Sequence, residues 1–93
     1  ALIFPYGPDK IEQVGIISGG AQKDVTQAVE AGLDLYLTGE GSEHILNYVK
    51  EEGIHFVSAG HYATERFGIK ALGRHLEEKF GLQVQFVDIP NPV

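Results

Sequence analysis

The 93-residue sequence has no cysteine. Disulfides and thiolate metal sites are therefore excluded. Basic residues are scarce, seven Lys and Arg against thirteen Asp and Glu, for a net charge of −6. There is no basic run and no interleaving of basic with aromatic residues, which argues against nucleic acid as an electrostatically held partner. No apolar run approaches the roughly 20 residues of a membrane span. These absences set the expectation of a soluble, cytoplasmic protein. The phosphate-loop patterns Gly-x-Gly-x-x-Gly and Gly-Lys-Ser/Thr are also missing, as are internal repeats and low-complexity segments. What is present is ordinary. A hydrophobic share of 43% suits a globular chain, and the length allows one small domain at most. The sequence opens Ala-Leu-Ile-Phe-Pro without a methionine, which reads as a fragment or a processed form.

Residues 1–10 carry Pro5, Gly7 and Pro8 and read as an irregular lead-in; residues 11–93 read as a single lobe. Val14, Ile16 and Ile17 form a β-branched run closed by Ser18, Gly19 and Gly20. Val25, Ala28 and Val29 recur at helical spacing up to Gly32. Leu33, Leu35, Tyr36 and Leu37 predict a second buried strand ending in Thr38, Gly39 and Glu40. Ser42 is an N-cap candidate for a helix carrying Ile45, Leu46, Tyr48 and Val49, stopped by Gly53. Ile54, Phe56 and Val57 predict a third strand, and a long helix follows from about His61 to Phe80. After Gly81, the residues Leu82, Val84, Phe86, Val87 and Ile89 predict a last strand. The order β-α-β-α-β-α-β implies an α/β fold, a three-layer α/β/α lobe with a mainly parallel sheet. In such sheets ligands bind beyond the carboxyl ends of the strands. Parallel connectivity brings three polar clusters to that edge: Ser18 to Gly20, Thr38 to Glu40, and Gly60 with His61.

His61 and Glu65 are the leading candidates. Residues four apart share a helix face. Glu65, Ile69, Leu72, Leu76 and Phe80 fall on one stripe headed by His61, and an apolar stripe is expected to face the interior. A carboxylate aimed inward is costly unless a positive partner neutralises it. Imidazole nitrogen with carboxylate oxygen suits zinc, manganese or iron. The helix N-terminus favours the ionised Glu65 and disfavours a protonated His61. The other reading of His-x-x-x-Glu is a plain hydrogen bond at a helix start. Two donors do not complete a cation site, so the others come from elsewhere. Glu40, four residues before His44, reads first as part of a solvated helix start and second as an acceptor for a ligand histidine. Thr38 is placed to orient a ligand or water. Gly19 and Gly20 form either an anion cradle or a tight turn, the turn being favoured. His55 and His75 read as structural, and Arg66 as a surface residue beside the site.

The run Ala59-Gly60-His61-Tyr62-Ala63-Thr64-Glu65-Arg66, with Thr38-Gly39-Glu40 before it and Asp88-Ile89-Pro90-Asn91-Pro92 at the end, resembles the C-terminal part of the Nif-three-like family, the GTP cyclohydrolase I type 2 homologues. The resemblance covers about residues 7–93. It implies two similar α/β lobes with two divalent metal ions in the cleft between them. The C-terminal lobe's histidine and glutamate map onto His61 and Glu65, Glu65 bridging both ions. Two adjacent histidines and an aspartate are implied in an N-terminal lobe that these 93 residues do not contain. Ring-shaped hexamers, and so self-association, are implied as well. The leading function is half of a dinuclear metal site in a metal-dependent hydrolase acting on a nucleotide, of GTP cyclohydrolase type. The alternative is a non-catalytic metal- or nucleotide-binding assembly module.

Overall fold

A computed structural model describes residues 1–93. The elements in chain order are β1 (Leu2–Pro5), β2 (Val14–Ile16), α1 (Val25–Glu30), β3 (Leu35–Thr38), α2 (Glu43–Glu52), β4 (His55–Ser58) and α3 (His61–Phe80). A single 3-10 turn, Gln22–Asp24, leads into α1. One sheet has the order β1-β4-β3-β2. β2, β3 and β4 run parallel, and β1 pairs antiparallel with β4 at one edge. The α/β class and the mainly parallel sheet are as the alternation of elements predicts.

The crossovers through α1 and α2 step in the same direction across the sheet, and right-handed connections then lay both helices on one face. The core lies beneath them. Val25 and Ala28 of α1, Ile45 and Val49 of α2, and Ile54 pack over Tyr36 and Phe56. Register puts Phe4, Phe56 and Tyr36 in one row across three strands. The Phe56 ring lies 5.7 Å from that of Phe4 and 5.9 Å from that of Tyr36. The buried Tyr36 keeps its hydroxyl satisfied by donating to the Ala21 carbonyl at 2.7 Å. The neighbouring row, Ile3, Val57, Leu37 and Ile16, points to the opposite face. That face is open: Ile16 is 69% exposed and Ile3 60%.

The helix stops are where the glycines put them. Gly53 ends α2 and Gly81 ends α3, both in the left-handed region. Ser42 stands at the N-cap of α2, but its hydroxyl does not cap the helix; it accepts from Gln22 Nε2 at 3.2 Å. His55 has a structural role. Its Nδ1 accepts from the Gly7 N–H at 3.2 Å, and Nε2–H donates to the Pro8 carbonyl at 2.7 Å. Asp34 accepts the N–H groups of Glu12 and Gln13, each at 2.9 Å. Those two bonds hold its carboxyl below the usual range.

Three expectations change. The lead-in is not wholly irregular, because Leu2–Pro5 is a strand. It is an edge strand, where a proline costs no ladder bond to a further neighbour, and Phe4 anchors it by stacking on Phe56. The last strand does not form: residues 81–93 have no regular secondary structure. The segment runs along α3, with Val84 against Gly73 and Phe86 under Lys70. No backbone–backbone hydrogen bond engages residues 82–92. Finally, the apolar stripe of α3 is not covered. The helix has no buried residue, and Ile69 of the stripe is 57% exposed. α3 and the tail extend the molecule to 50 × 26 × 20 Å, with a radius of gyration of 16.0 Å, against about 12 Å for a compact domain of this length.

Truncating the centre of the one covered core tests this packing. Phe56→Ala removes a fully buried ring and is expected to cost about 3–5 kcal/mol. Urea unfolding followed by circular dichroism reads it as a large drop in midpoint.

Candidate metal site

The site is built where three strand ends are stitched together past the sheet. The Ile17 N–H donates to the Leu37 carbonyl at 3.0 Å, Gly39 N–H to the Gly19 carbonyl at 2.9 Å, and Gly60 N–H to the Gly39 carbonyl at 2.9 Å. Two hydroxyls brace the same glycine carbonyls. Thr38 Oγ1, fully buried, donates to Gly19 at 3.2 Å, and Ser58 Oγ donates to Gly39 at 3.0 Å. Glycine is required for this closeness. A Cβ on Gly39 would fall 2.4 Å from the Gly19 carbonyl oxygen and 2.8 Å from His61 Cα. Gly19 is buried, has φ +74°, and a Cβ there would lie 2.6 Å from Glu65 Oε1. Its N–H donates to Thr64 Oγ1 at 3.3 Å, which ties the end of β2 to the first turn of α3.

Above this floor stands the His61 imidazole, held between two carboxylates. Its Nδ1 contacts Glu40 Oε1, and its Nε2 lies 2.9 Å from Glu65 Oε1. Of the two readings of Glu40, a solvated helix start and an acceptor for a histidine, the geometry has the second: Glu40, two residues past β3, meets the His61 ring, while His44 points to solvent. The Glu65 carboxylate turns to the imidazole but is 53% exposed, so the inward burial read from the stripe is corrected. The charge expectation is reversed too. The Glu40 hydrogen bond, helped by the negative charge of Glu65, raises the His61 pKa and outweighs partial desolvation. Glu40, His61, Tyr62, Glu65, Asn91 and Val93 line a cleft of about 470 Å³. That is far more than a cation with a few waters fills.

The other sequence candidates fall around this pair. Thr38 supports Gly19 from inside and does not line the cleft. Gly20 is exposed, with Glu40 Oε1 3.7 Å from where its Cβ would be. The turn reading of Gly19 and Gly20 is the one the hydrogen bonds support. Sequence reasoning missed the wall made by the tail. The Tyr62 N–H donates to the Val93 carbonyl at 2.8 Å. The Tyr62 hydroxyl donates to Asp88, and Arg66 donates to the same hydroxyl at 3.1 Å with its guanidinium over the ring. The i,i+4 spacing of Tyr62 and Arg66 was visible in the sequence; their joint use of Asp88 was not. Arg66 is thus tied to the tail.

The arrangement fits a divalent cation in its chemistry but not in its donor count. Nε2 and Glu65 Oε1 are neighbouring nitrogen and oxygen donors of the kind zinc, manganese and iron take, and Gly19 leaves the cradle that a side chain would fill. No group of three or more His, Asp or Glu side chains comes together in cation-binding geometry. These residues supply two donors, and a complete site needs others.

The comparisons agree with the motif. The family described as Duf34/NIF3 (NGG1p interacting factor 3) matches residues 2–92. The chain belongs to this family. A GTP cyclohydrolase 1 type 2 homolog of Haemophilus influenzae is 49% identical over 91 residues, 98% of this chain and 36% of that protein. The homolog of Escherichia coli K12 is 45% identical over 86 residues, covering 92% and 35%. Among solved structures, protein ybgI, titled as of unknown function, superposes with a TM-score of 0.94 at 43% identity, over 99% of this chain and 38% of that one. TTHA1606 from Thermus thermophilus gives 0.91 at 37% identity, over 99% and 37%. The chain spans about a third of the length of these relatives.

Gly19→Ala tests the cradle. The added methyl strains a left-handed residue by about 1–2 kcal/mol and pushes Glu65 off His61. The expected result is a cation affinity at least about tenfold weaker with the circular dichroism spectrum retained, read by calorimetric titration with Mn²⁺ or Zn²⁺.

Proposed function

We propose that this chain contributes His61 and Glu65 to a dinuclear divalent-metal site, the rest of which lies outside these 93 residues, and that the complete protein is a metal-dependent hydrolase acting on a nucleotide. The observation that carries the reading is the juxtaposition of His61 Nε2 and Glu65 Oε1, 2.9 Å apart, over a glycine floor at the carboxyl ends of the parallel strands. When bound, the cations supply Lewis acidity and lower the pKa of a bound water. The chain's own residues do the rest. Glu65, half exposed on the cleft side, has a second carboxylate oxygen free to reach a second ion. His61 gives Nε2, and Tyr62, Asn91 and Val93 line the same cleft. The nucleotide is taken from the relatives' name, GTP cyclohydrolase 1 type 2 homolog. In the complete protein, Glu65→Gln is expected to lower metal content, read by elemental analysis of protein purified without chelator, and to abolish GTP turnover. Unchanged metal and turnover together end this reading.

A second reading is supported by a separate observation, the bare apolar surface. Ile3, Val14 and Ile16 on the sheet, and Phe67, Ile69, Leu72 and Phe80 on α3, are all exposed. Apolar exposure on this scale marks an interface. Here the lobe is an assembly module that buries this surface against other copies or against the remainder of a longer chain, and the metal is structural. Sizing chromatography with light scattering is expected to find these 93 residues self-associated. A well-folded monomer counts against it.

A further inference from the structure

We infer that Glu40 is the positioning residue of the site: it fixes which nitrogen of His61 carries the proton and so delivers Nε2, unprotonated, to the cation. The inference rests on the proposed metal reading and names a part for a residue that binds no cation itself. A neutral imidazole has one donor nitrogen and one acceptor nitrogen, and the bond made by one decides what the other offers. Both carboxylates accept only, so each favours a hydrogen on the nitrogen it meets; Glu40, at Nδ1, has the firmer backing, which places the hydrogen of the neutral ring on Nδ1. In the neutral ring Nε2 then carries a lone pair, and Nε2 is the atom that faces Glu65 and the cleft.

The backbone makes this contact obligatory. Gly39, the residue before Glu40, is buried and pressed between the Gly19 carbonyl and His61 Cα, with no space for a side chain at either contact. The Gly60 N–H donates to the Gly39 carbonyl, so the start of α3 is hydrogen-bonded to the residue next to Glu40. His61 and Glu40 therefore extend from neighbouring, hydrogen-bonded backbone. Glu65 has no such support; it reaches the ring only along its own helix. A carboxylate behind a ligand histidine also raises the basicity of the ring's far nitrogen, and loss of such partners typically costs about 10–100-fold in metal affinity.

The test uses the complete protein, stripped of metal and labelled with ¹⁵N-histidine, at a pH where the ring is neutral. Long-range ¹H–¹⁵N spectra report the tautomer, and the His61 signals are those lost in His61→Ala. The wild-type ring is expected to be protonated on Nδ1. Glu40→Ala is expected to move the proton towards Nε2 and to weaken Mn²⁺ and Zn²⁺ binding by about 10–100-fold in calorimetry. Glu40→Gln, whose amide oxygen still accepts from Nδ1, is expected to keep the tautomer and lose less affinity. A wild-type ring protonated on Nε2 overturns the inference. So does a Glu40→Ala protein whose tautomer or affinity is unchanged. If Glu40→Ala does not fold, the wild-type spectrum and Glu40→Gln still decide. Failure of the metal reading has a different signature: His61→Ala and Glu65→Gln would then bind the cations as wild type does, whatever the tautomer.

Discussion

The constraint on which the rest depends is the closeness of Gly19 and Gly39. Two carbonyls at the ends of neighbouring parallel strands each accept a backbone N–H and a side-chain hydroxyl. Each bond has a modest net effect, about 1 kcal/mol, but the set is cooperative in geometry. It draws the end of β2 under the first turn of α3 and the end of β3 under the His61 ring. Without the two glycines, the loop that carries Glu40 could not approach the helix start that carries His61 and Glu65. With them, a cluster far apart in sequence becomes a single structure whose positions are set by backbone, which side-chain flexibility cannot easily blur.

Much of this was legible before any coordinates. The β-branched and aromatic runs gave the parallel strands, because a strand buried among neighbours needs little more than apolar side chains and a stop. His61 and Glu65 were legible as a pair, because helical spacing alone brings them together. Glu40 was harder. Its nearest histidine in sequence is His44, and only the register of β3 against β4 shows that His61 is the histidine above it. β1 was hidden by Pro5 and Pro8, which read as breakers; at a sheet edge the proline rule is relaxed. The segment 82–89 shows the converse. Its alternation is that of a strand, but pairing needs a free sheet edge in reach, and the tail lies along α3 instead. Pattern makes a segment able to pair and does not supply the partner.

The exposed stripe of α3 and the short donor list have a common root. A single-stripe helix and a one-sided sheet are each half of an interface, and on the proposed metal reading two cation donors are part of a coordination shell. The chain spans about a third of its relatives' length. A lobe that folds around α1 and α2 alone buries only ten residues, so its net stability rests on a small core with little surplus. Both the apolar surface and the incomplete shell are accounted for together if further polypeptide, or another copy, covers the open face of the sheet and α3.

Two glutamates touch one imidazole, and their different settings decide their different parts. Glu40 extends from a strand end whose backbone is pinned on both sides, and it meets the ring from beneath. Glu65 extends from the exposed flank of a helix and meets the ring from the cleft. Both can accept from a doubly protonated ring, and the raised His61 pKa reflects that. On the proposed metal reading, a cation in the cleft would be held by Nε2 and the Glu65 oxygen beside it, and the ring hydrogen on Nδ1 would stay with Glu40. The same amino acid would then be a ligand in one place and a support in the other. The distinction comes from which nitrogen each one meets and how firmly the chain behind it is held.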